Sequence, residues 1–378
     1  MGGLTLTISS LGGLNEMWAS IIGLFSFIPN FGWMLILFTF CLKLLLSPLD
    51  FWQRMVSGNS AKKQAILQPE IAKIKKQYAN NKQMENQKTM ELYKRENYNI
   101  MGSCLGMLVN MALTLFIFIS LFYSLIAMSH TQIANQYDEL KVEYEVVYTA
   151  YITDNAVDVD NPTEGEIALA VETAQGAVVL KYDKIKDSWL WVKNVWRSDT
   201  YVSPFPNFDE YRGMVGLSAQ GDTQAEKDAW LAAQKAEYNT ITQGIRDGYA
   251  GQWNGYLILV VLAAGVTFAS VVVTQSMANK SKKKKDAVSA ALDVNKKDPK
   301  NPNAQVNPTA GAMKIMKFIL PLVMVFFAFT YSAAFTLYII TNSLCAALFG
   351  ILWNIILDKI DAKKETKAIV SNKADYSR

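Results

Sequence analysis

Charge is missing from four stretches of this chain, and their lengths set its class. Phe31–Leu49 holds a single charged residue, Lys43, while Cys104–Met128, Tyr256–Met277 and Phe318–Leu357 hold none. A helix needs ~20 apolar residues to cross a bilayer. The last window is about twice that length and reads as two antiparallel helices, turning near Tyr331-Ser-Ala-Ala where small and polar residues cluster. Five spans follow, and with them an α-helical polytopic membrane protein. Histidine is nearly absent: the one residue, His130, follows the second span and reads as interfacial. The three cysteines, Cys41, Cys104 and Cys345, lie in or beside apolar windows, as small membrane-embedded hydrophobes do. With no CxxC and no Cys/His cluster, a zinc site is not expected. The sequence contains no glycine-rich nucleotide loop and no catalytic constellation, so neither enzyme chemistry nor a cofactor is expected. The first residues lack a basic n-region and a small-residue cleavage site, so no cleavable signal peptide is expected.

Basic residues are equally uneven. None precedes Lys43, whereas residues 54–99 carry ten Lys+Arg against four Asp+Glu. The 277–313 stretch carries eight against three, and the tail from Asp358 carries six against four. Residues 128–252 reverse the balance, with ten basic and twenty acidic. Lys and Arg accumulate on the cytoplasmic side of membrane proteins. The expected topology therefore starts outside and ends in the cytoplasm, with the acidic segment outside. The resulting partition begins with an extracytoplasmic interfacial helix in 1–30, a first span over 31–57, and a cytoplasmic helical hairpin over 58–102. A second span over 103–128 leads to an extracytoplasmic insertion over 129–252 and a third span over 253–277. A basic cytoplasmic loop over 278–313, spans over 314–332 and 333–357, and a tail over 358–378 complete it.

Lys43 is the residue around which function is sought. A cation deep in an apolar span costs several kcal/mol unless it meets water or a partner; the bland alternative is snorkelling along its own stem. On the second span Asn110 needs a partner or water. Thr114, Thr267, Ser270 and Thr336 pose the same choice between a wet cavity and bonds back to their own or the next helix. In the hairpin, Gln68-Pro69-Glu70 has the chemistry of a helix opening, with proline in the first turn and an acid behind it. Asn80-Asn81 breaks the run, and Met84–Tyr98 resumes it. Residues 14–28 read as a helix lying on the outer face. In the insertion, Glu143–Tyr151 and Ala177–Tyr182 alternate or run β-branched as strands do, Asp158–Thr163 is turn chemistry, and Thr223–Asp247 reads as a helix. A small α+β domain is expected there. Trp189-Leu-Trp-Val-Lys-Asn-Val-Trp is an aromatic cluster suited to the bilayer interface. Lys280–Lys285 is a polybasic run that attracts anionic lipid, and Asp298–Gly311 has the composition of a disordered segment.

In order along the chain, these motifs resemble those of the YidC/Oxa family of membrane-protein insertases, over about 30–130 and 186–357. The family's first core span carries an Arg shortly before a Pro; here Leu42-Lys43-Leu-Leu-Leu-Ser-Pro48 has Lys. Its hairpin pattern is matched by Gln68-Pro69-Glu70, Gln77-Tyr78 and Leu92-Tyr93-Lys94. The second span departs from the family at Cys104-Leu-Gly106 and Asn110-Met-Ala112, where prolines and a Gln are usual. Ser188-Trp-Leu-Trp resembles the family's aromatic loop, and Leu337-Tyr338-Ile339 with Thr341-Asn342 its last-span pattern.

The resemblance implies five core helices around a hydrophilic groove open to the cytoplasm. Lys43, Asn110, Thr114, Thr267, Ser270 and Thr336 would line it, and Gln68, Pro69, Glu70, Tyr78, Tyr93 and Lys94 would recruit substrates at the hairpin. The implied partners are nascent membrane proteins, the ribosome, the general secretion channel and anionic lipids, with no DNA, in the plasma membrane of a bacterium. Lys43 keeps the family's charge but loses the planar fork of Arg. An assembly scaffold and a small-solute transporter are the competing classes. The transporter predicts coupled acids within the spans or internal repeats, and neither is found.

Overall fold

The computed structural model describes residues 12–98, 100–155, 157–292, 319 and 322–375. Its helices are α1 (Gly12–Gly23), α2 (Phe31–Gln77), α3 (Lys82–Arg95), α4 (Ile100–Asn155), α5 (Glu164–Ile185), α6 (Phe208–Val215), α7 (Gln224–Gly248), α8 (Ile258–Leu292) and α9 (Ala333–Asp375). Residues 322–330 are also helical. Among the described residues three helical stretches are long and apolar enough to cross a membrane: Phe31–Ser60, Leu108–Asn155 and Ala333–Lys363. A shorter apolar helix covers Ile258–Thr274. The expected disordered segment Asp298–Gly311 and part of the expected fourth span lie outside the described residues.

The chain forms two compact units. The first draws on Met1–Thr39, Ile119–Gly265 and Leu322–Thr341; the second on Phe40–Phe118, Val266–Pro321 and Asn342–Arg378. In the first unit, α1 buries Trp18 and Ile22, one turn apart. Trp18 Nε1 donates to Ser120 Oγ of α4 at 3.1 Å, while Met17 and Leu24 stay exposed. α1 thus turns one face to the protein and ends at Gly23, short of the Ile28 limit read from the sequence. The entrance to α2 is capped by Asn30, whose Oδ1 accepts from the backbone N–H of Gly32 at 3.1 Å. Its Nδ2 donates to Ser188 O at 2.7 Å, tying the aromatic loop to the start of α2. Phe31 and Trp196 rings stand 4.2 Å apart. Within that loop Trp189, Val192, Val195 and Trp196 are buried and Leu190 is exposed.

The insertion differs from its expectation: among the described residues it is helical and holds no strand. Glu143–Tyr151 continues α4, because no Gly or Pro interrupts the chain between Gly106 and Pro162. Ile133, Tyr137 and Leu140 keep burying one helical face. Ala177–Tyr182 belongs to α5, which buries Ala170, Ala174, Val178 and Tyr182 at every fourth position. That spacing is helical, and packing overrides the β propensity of the valines. The α5 surface meets α7 closely at Gly244, where a Cβ would stand 3.0 Å from Val179 Cγ2 and 3.2 Å from Gln175 O. Capping boxes at Thr163/Glu166 and Thr223/Glu226 start α5 and α7. Each reciprocally satisfies two backbone donors.

In the second unit α2 runs through both Pro48 and Pro69. Pro69 therefore does not open a helix: a proline inside a helix removes one backbone bond and bends the axis without forcing an end. The helix stops at Gln77, and Asn81 caps α3 by accepting from Met84 N–H at 3.1 Å. Leu67 and Ile71 of α2 pack against Leu92 of α3, with Ile74, Tyr93 and Tyr98 around them, closing the hairpin on a small apolar core.

Candidate functional site

Lys43 lies in the membrane-spanning part of α2, half-buried. It forms no hydrogen bond or ion pair among the described residues; Asp50 and the Cys345 thiol act on its charge from a distance. The surrounding helix is apolar, with Leu44 and Leu45 exposed on its flank. Lys43 is the one charged residue between Phe31 and Leu49, within a helical stretch long and apolar enough to cross a membrane.

Asn110 of α4 donates through Nδ2 to Gln53 Oε1 of α2 at 2.5 Å. It does not contact Lys43. Gln53 escaped notice in the sequence because it lies past Pro48, next to the basic segment. The signal was its polarity inside an otherwise apolar helix end. Ser47, one turn after Lys43, accepts from Trp353 Nε1 of α9 at 3.0 Å, and Phe51 packs on the same indole with ring centroids 4.9 Å apart. Arg54 lays its guanidinium beside Gly350, where a Cβ would stand 3.2 Å from Nη2. Thr267 of α8 and Ser343 of α9 share a hydrogen bond of 3.3 Å, and Asn354 Nδ2 donates to Met277 Sδ at 3.2 Å. The second unit is thus cross-linked by polar rungs between α2 and α4, α2 and α9, and α8 and α9.

The other sequence candidates divide. Ser270 is half-buried and Thr114 is exposed; neither has a hydrogen-bond partner among the described residues. Thr336 is buried in the first unit, where its hydroxyl donates back to Ser332 O and Ala328 O, both at 3.3 Å. That closes the turn between 322–330 and α9, the intrahelical role hydroxyls often take. In the hairpin, Glu70 accepts from Arg95 Nη2 at 2.6 Å, and Pro69 and Glu70 are exposed. Tyr78 lines an open cleft of about 550 Å³ with Lys73, Lys88 and Arg95. Tyr93 is half-buried against Tyr98, with ring centroids 5.2 Å apart, and belongs to the hairpin core. Lys94 is exposed. Among the described residues no group of acidic, His and Cys side chains could hold a metal ion.

The start of α8 is built by Asp199, which is fully buried. Its Oδ1 accepts from Tyr256 N–H at 2.9 Å and its Oδ2 from Leu259 N–H at 2.6 Å. Burial raises its pKa above the ordinary aspartate value, against the lowering effect of those backbone bonds. The Cβ-free Gly255 is required here, since a methyl would stand 1.7 Å from Asp199 Oδ1.

Comparison with known proteins adds the frame for these features. The family model described as 60Kd inner membrane protein matches residues 23–360. A protein of Leptospira interrogans serovar Lai named membrane protein insertase YidC is 41% identical over 95 residues, 25% of this chain and 14% of that protein. A Fusobacterium nucleatum protein of the same name is 42% identical over 92 residues, 24% of this chain and 43% of that protein. A third, from Buchnera aphidicola subsp. Schizaphis graminum, is 39% identical over 101 residues, 27% of this chain and 17% of that protein. The chain therefore spans less than half the length of these curated relatives. No solved structure matches it. With apolar helices long enough to cross a bilayer and a family match from 23 to 360, the chain belongs to the 60Kd inner membrane protein family.

Proposed function

We propose that this protein inserts newly made membrane proteins into the bacterial plasma membrane and helps them fold. A single-span substrate with a short polar outer segment must carry that segment through hydrocarbon, where each unsatisfied polar group costs several kcal/mol. A hydrophilic groove with water and a fixed cation shortens the costly path. Lys43 meets acidic residues of the moving segment, Asn110 and Gln53 supply polar groups beside it, and substrate spans slide along apolar helix faces. The hairpin of α2 and α3 receives nascent chains at the cytoplasmic face, with its cleft of Lys73, Lys88 and Arg95 as the contact surface. Positive-inside counting places the amino-terminal part outside and α3 inside.

The observation that carries this reading is Lys43 itself: half-buried on an apolar span, with no ion pair among the described residues. Insertion of an acidic-tailed single-span substrate into proteoliposomes, read by protease protection, tests it. Lys43→Ala is expected to lower insertion about tenfold, the equivalent of ~1.4 kcal/mol of lost attraction. Lys43→Glu should lower it further, and Lys43→Arg should retain it. Wild-type insertion by both Lys43→Ala and Lys43→Glu would refute the charge-pairing mechanism.

A further inference from the structure

Asp50 stands just past the charge-poor window of α2, and the proposed function gives it no part. Helical geometry aligns it with the working cation: Lys43, Ser47, Asp50 and Arg54 stand at i, i+4, i+7 and i+11 of α2, within about 40° of one direction around the axis. The line is turned to α9. Trp353 reaches Ser47, Gly350 lies under the Arg54 guanidinium, and Cys345 is within electrostatic range of Lys43. Asp50 is half-buried on this line.

Arg54, four residues further on, is the partner helix geometry would offer an acid in this order. That ion pair does not form among the described residues, because the guanidinium is laid against Gly350 instead. Lys43 lies about 10 Å back along the axis at 1.5 Å per residue, close enough for the carboxylate to act on its charge.

We infer that Asp50 is a resident counter-charge that sets how strongly Lys43 attracts an acidic segment, and so decides which substrates gain from the site. The inference rests on reading Lys43 as the working cation. The fixed carboxylate weakens the positive field that an approaching segment meets. A segment whose own carboxylate comes close to Lys43 gains, and one that stays near Asp50 is repelled. A neutral polar segment feels neither effect strongly. Asp50 acts by its field on the segment, alongside Lys43.

The test uses the full chain in proteoliposomes with two single-span substrates that differ only in the outer segment, one bearing carboxylates and one the matching amides. The readout is the ratio of their protease-protected yields. Asp50→Asn is expected to raise the acidic-to-neutral ratio about fivefold, the scale of a unit charge ~10 Å away at an effective dielectric constant of ~30. Asp50→Glu should return it to the wild-type value, and in a Lys43→Ala background the ratio should start lower and still rise with Asp50→Asn, because the two charges act on the segment additively. A ratio that responds to Lys43→Ala but not to Asp50→Asn overturns the inference and leaves the Lys43 reading standing. A ratio that responds to neither variant removes the Lys43 reading and this one with it. Equal loss of both substrates with Asp50→Asn makes Asp50 structural and overturns the inference.

Discussion

Gly32 lies one turn inside α2, under the Trp189 indole: a Cβ there would stand 2.2 Å from Trp189 Cδ1 and 2.5 Å from Cγ. A ring held by its own loop cannot step aside as the end of a lysine could. Overpacking of this kind costs about 1–3 kcal/mol, so Gly32→Ala should lower the unfolding temperature of the detergent-solubilised protein by several degrees. Gly32→Ala combined with Trp189→Leu should recover much of it. An unchanged unfolding temperature for Gly32→Ala would mean that the aromatic loop does not dock on α2. The same scale shows what the sequence could and could not announce. Lys43 was visible because a cation stands out among leucines, and Asn110 for the same reason. Their partners were not, since Gln53, Ser47 and Trp353 acquire meaning only when α4 and α9 come alongside α2. Nor could composition tell Thr336, bonded into its own turn, from Thr267, bonded across to Ser343.

At the level of helices, α5 and α7 each begin with a capping box in which a glutamate accepts backbone hydrogen bonds. Those bonds to Thr163 and Val157 hold Glu166 below the ordinary glutamate pKa, and bonds to Thr223 and Asp222 do the same for Glu226. A carboxyl whose folded pKa is lowered contributes stability that is present above the unfolded value of 4.5 and is lost as pH falls through the folded one. Thermal unfolding followed from pH 6 to pH 3 should therefore show an acid arm that the double variant Glu166→Gln/Glu226→Gln flattens. An identical acid arm in that variant would assign the loss to other carboxylates. The Thr223 start of α7 was legible in advance because caps are local chemistry. The helical state of Glu143–Tyr151 was not, because valines and tyrosines in alternation satisfy strand and helix patterns alike. What settles it is the buried stripe of α4 and the absence of any breaker before Pro162, a property of fifty residues rather than nine.

The whole molecule is assembled from long helices that serve two units at once. Residues of α2, α4, α8 and α9 belong partly to one and partly to the other. Windows without charge announced most of these helices as apolar spans, yet α2 and α4 continue well past the expected limits of 57 and 128. Hydropathy marks where a chain enters and leaves lipid, and says nothing about where its helix ends in water. Lys and Arg counting gave the orientation, which the fold alone does not fix. The α4–α5 connection offers a direct way to read it. Residues 157–161 form an exposed bend between two helices, with Val157 97% exposed. Exposed tips of this kind accept inserted sequence without loss of fold. A protease recognition site placed between Val159 and Asp160 should be cut in intact cells stripped of their outer barriers and spared in inverted vesicles. The opposite pattern would reverse the orientation of every span. The bend thus serves the experimenter as a handle: under the proposed orientation, a fluorophore or affinity tag carried there would report on the protein from outside the cell, far along the chain from Lys43.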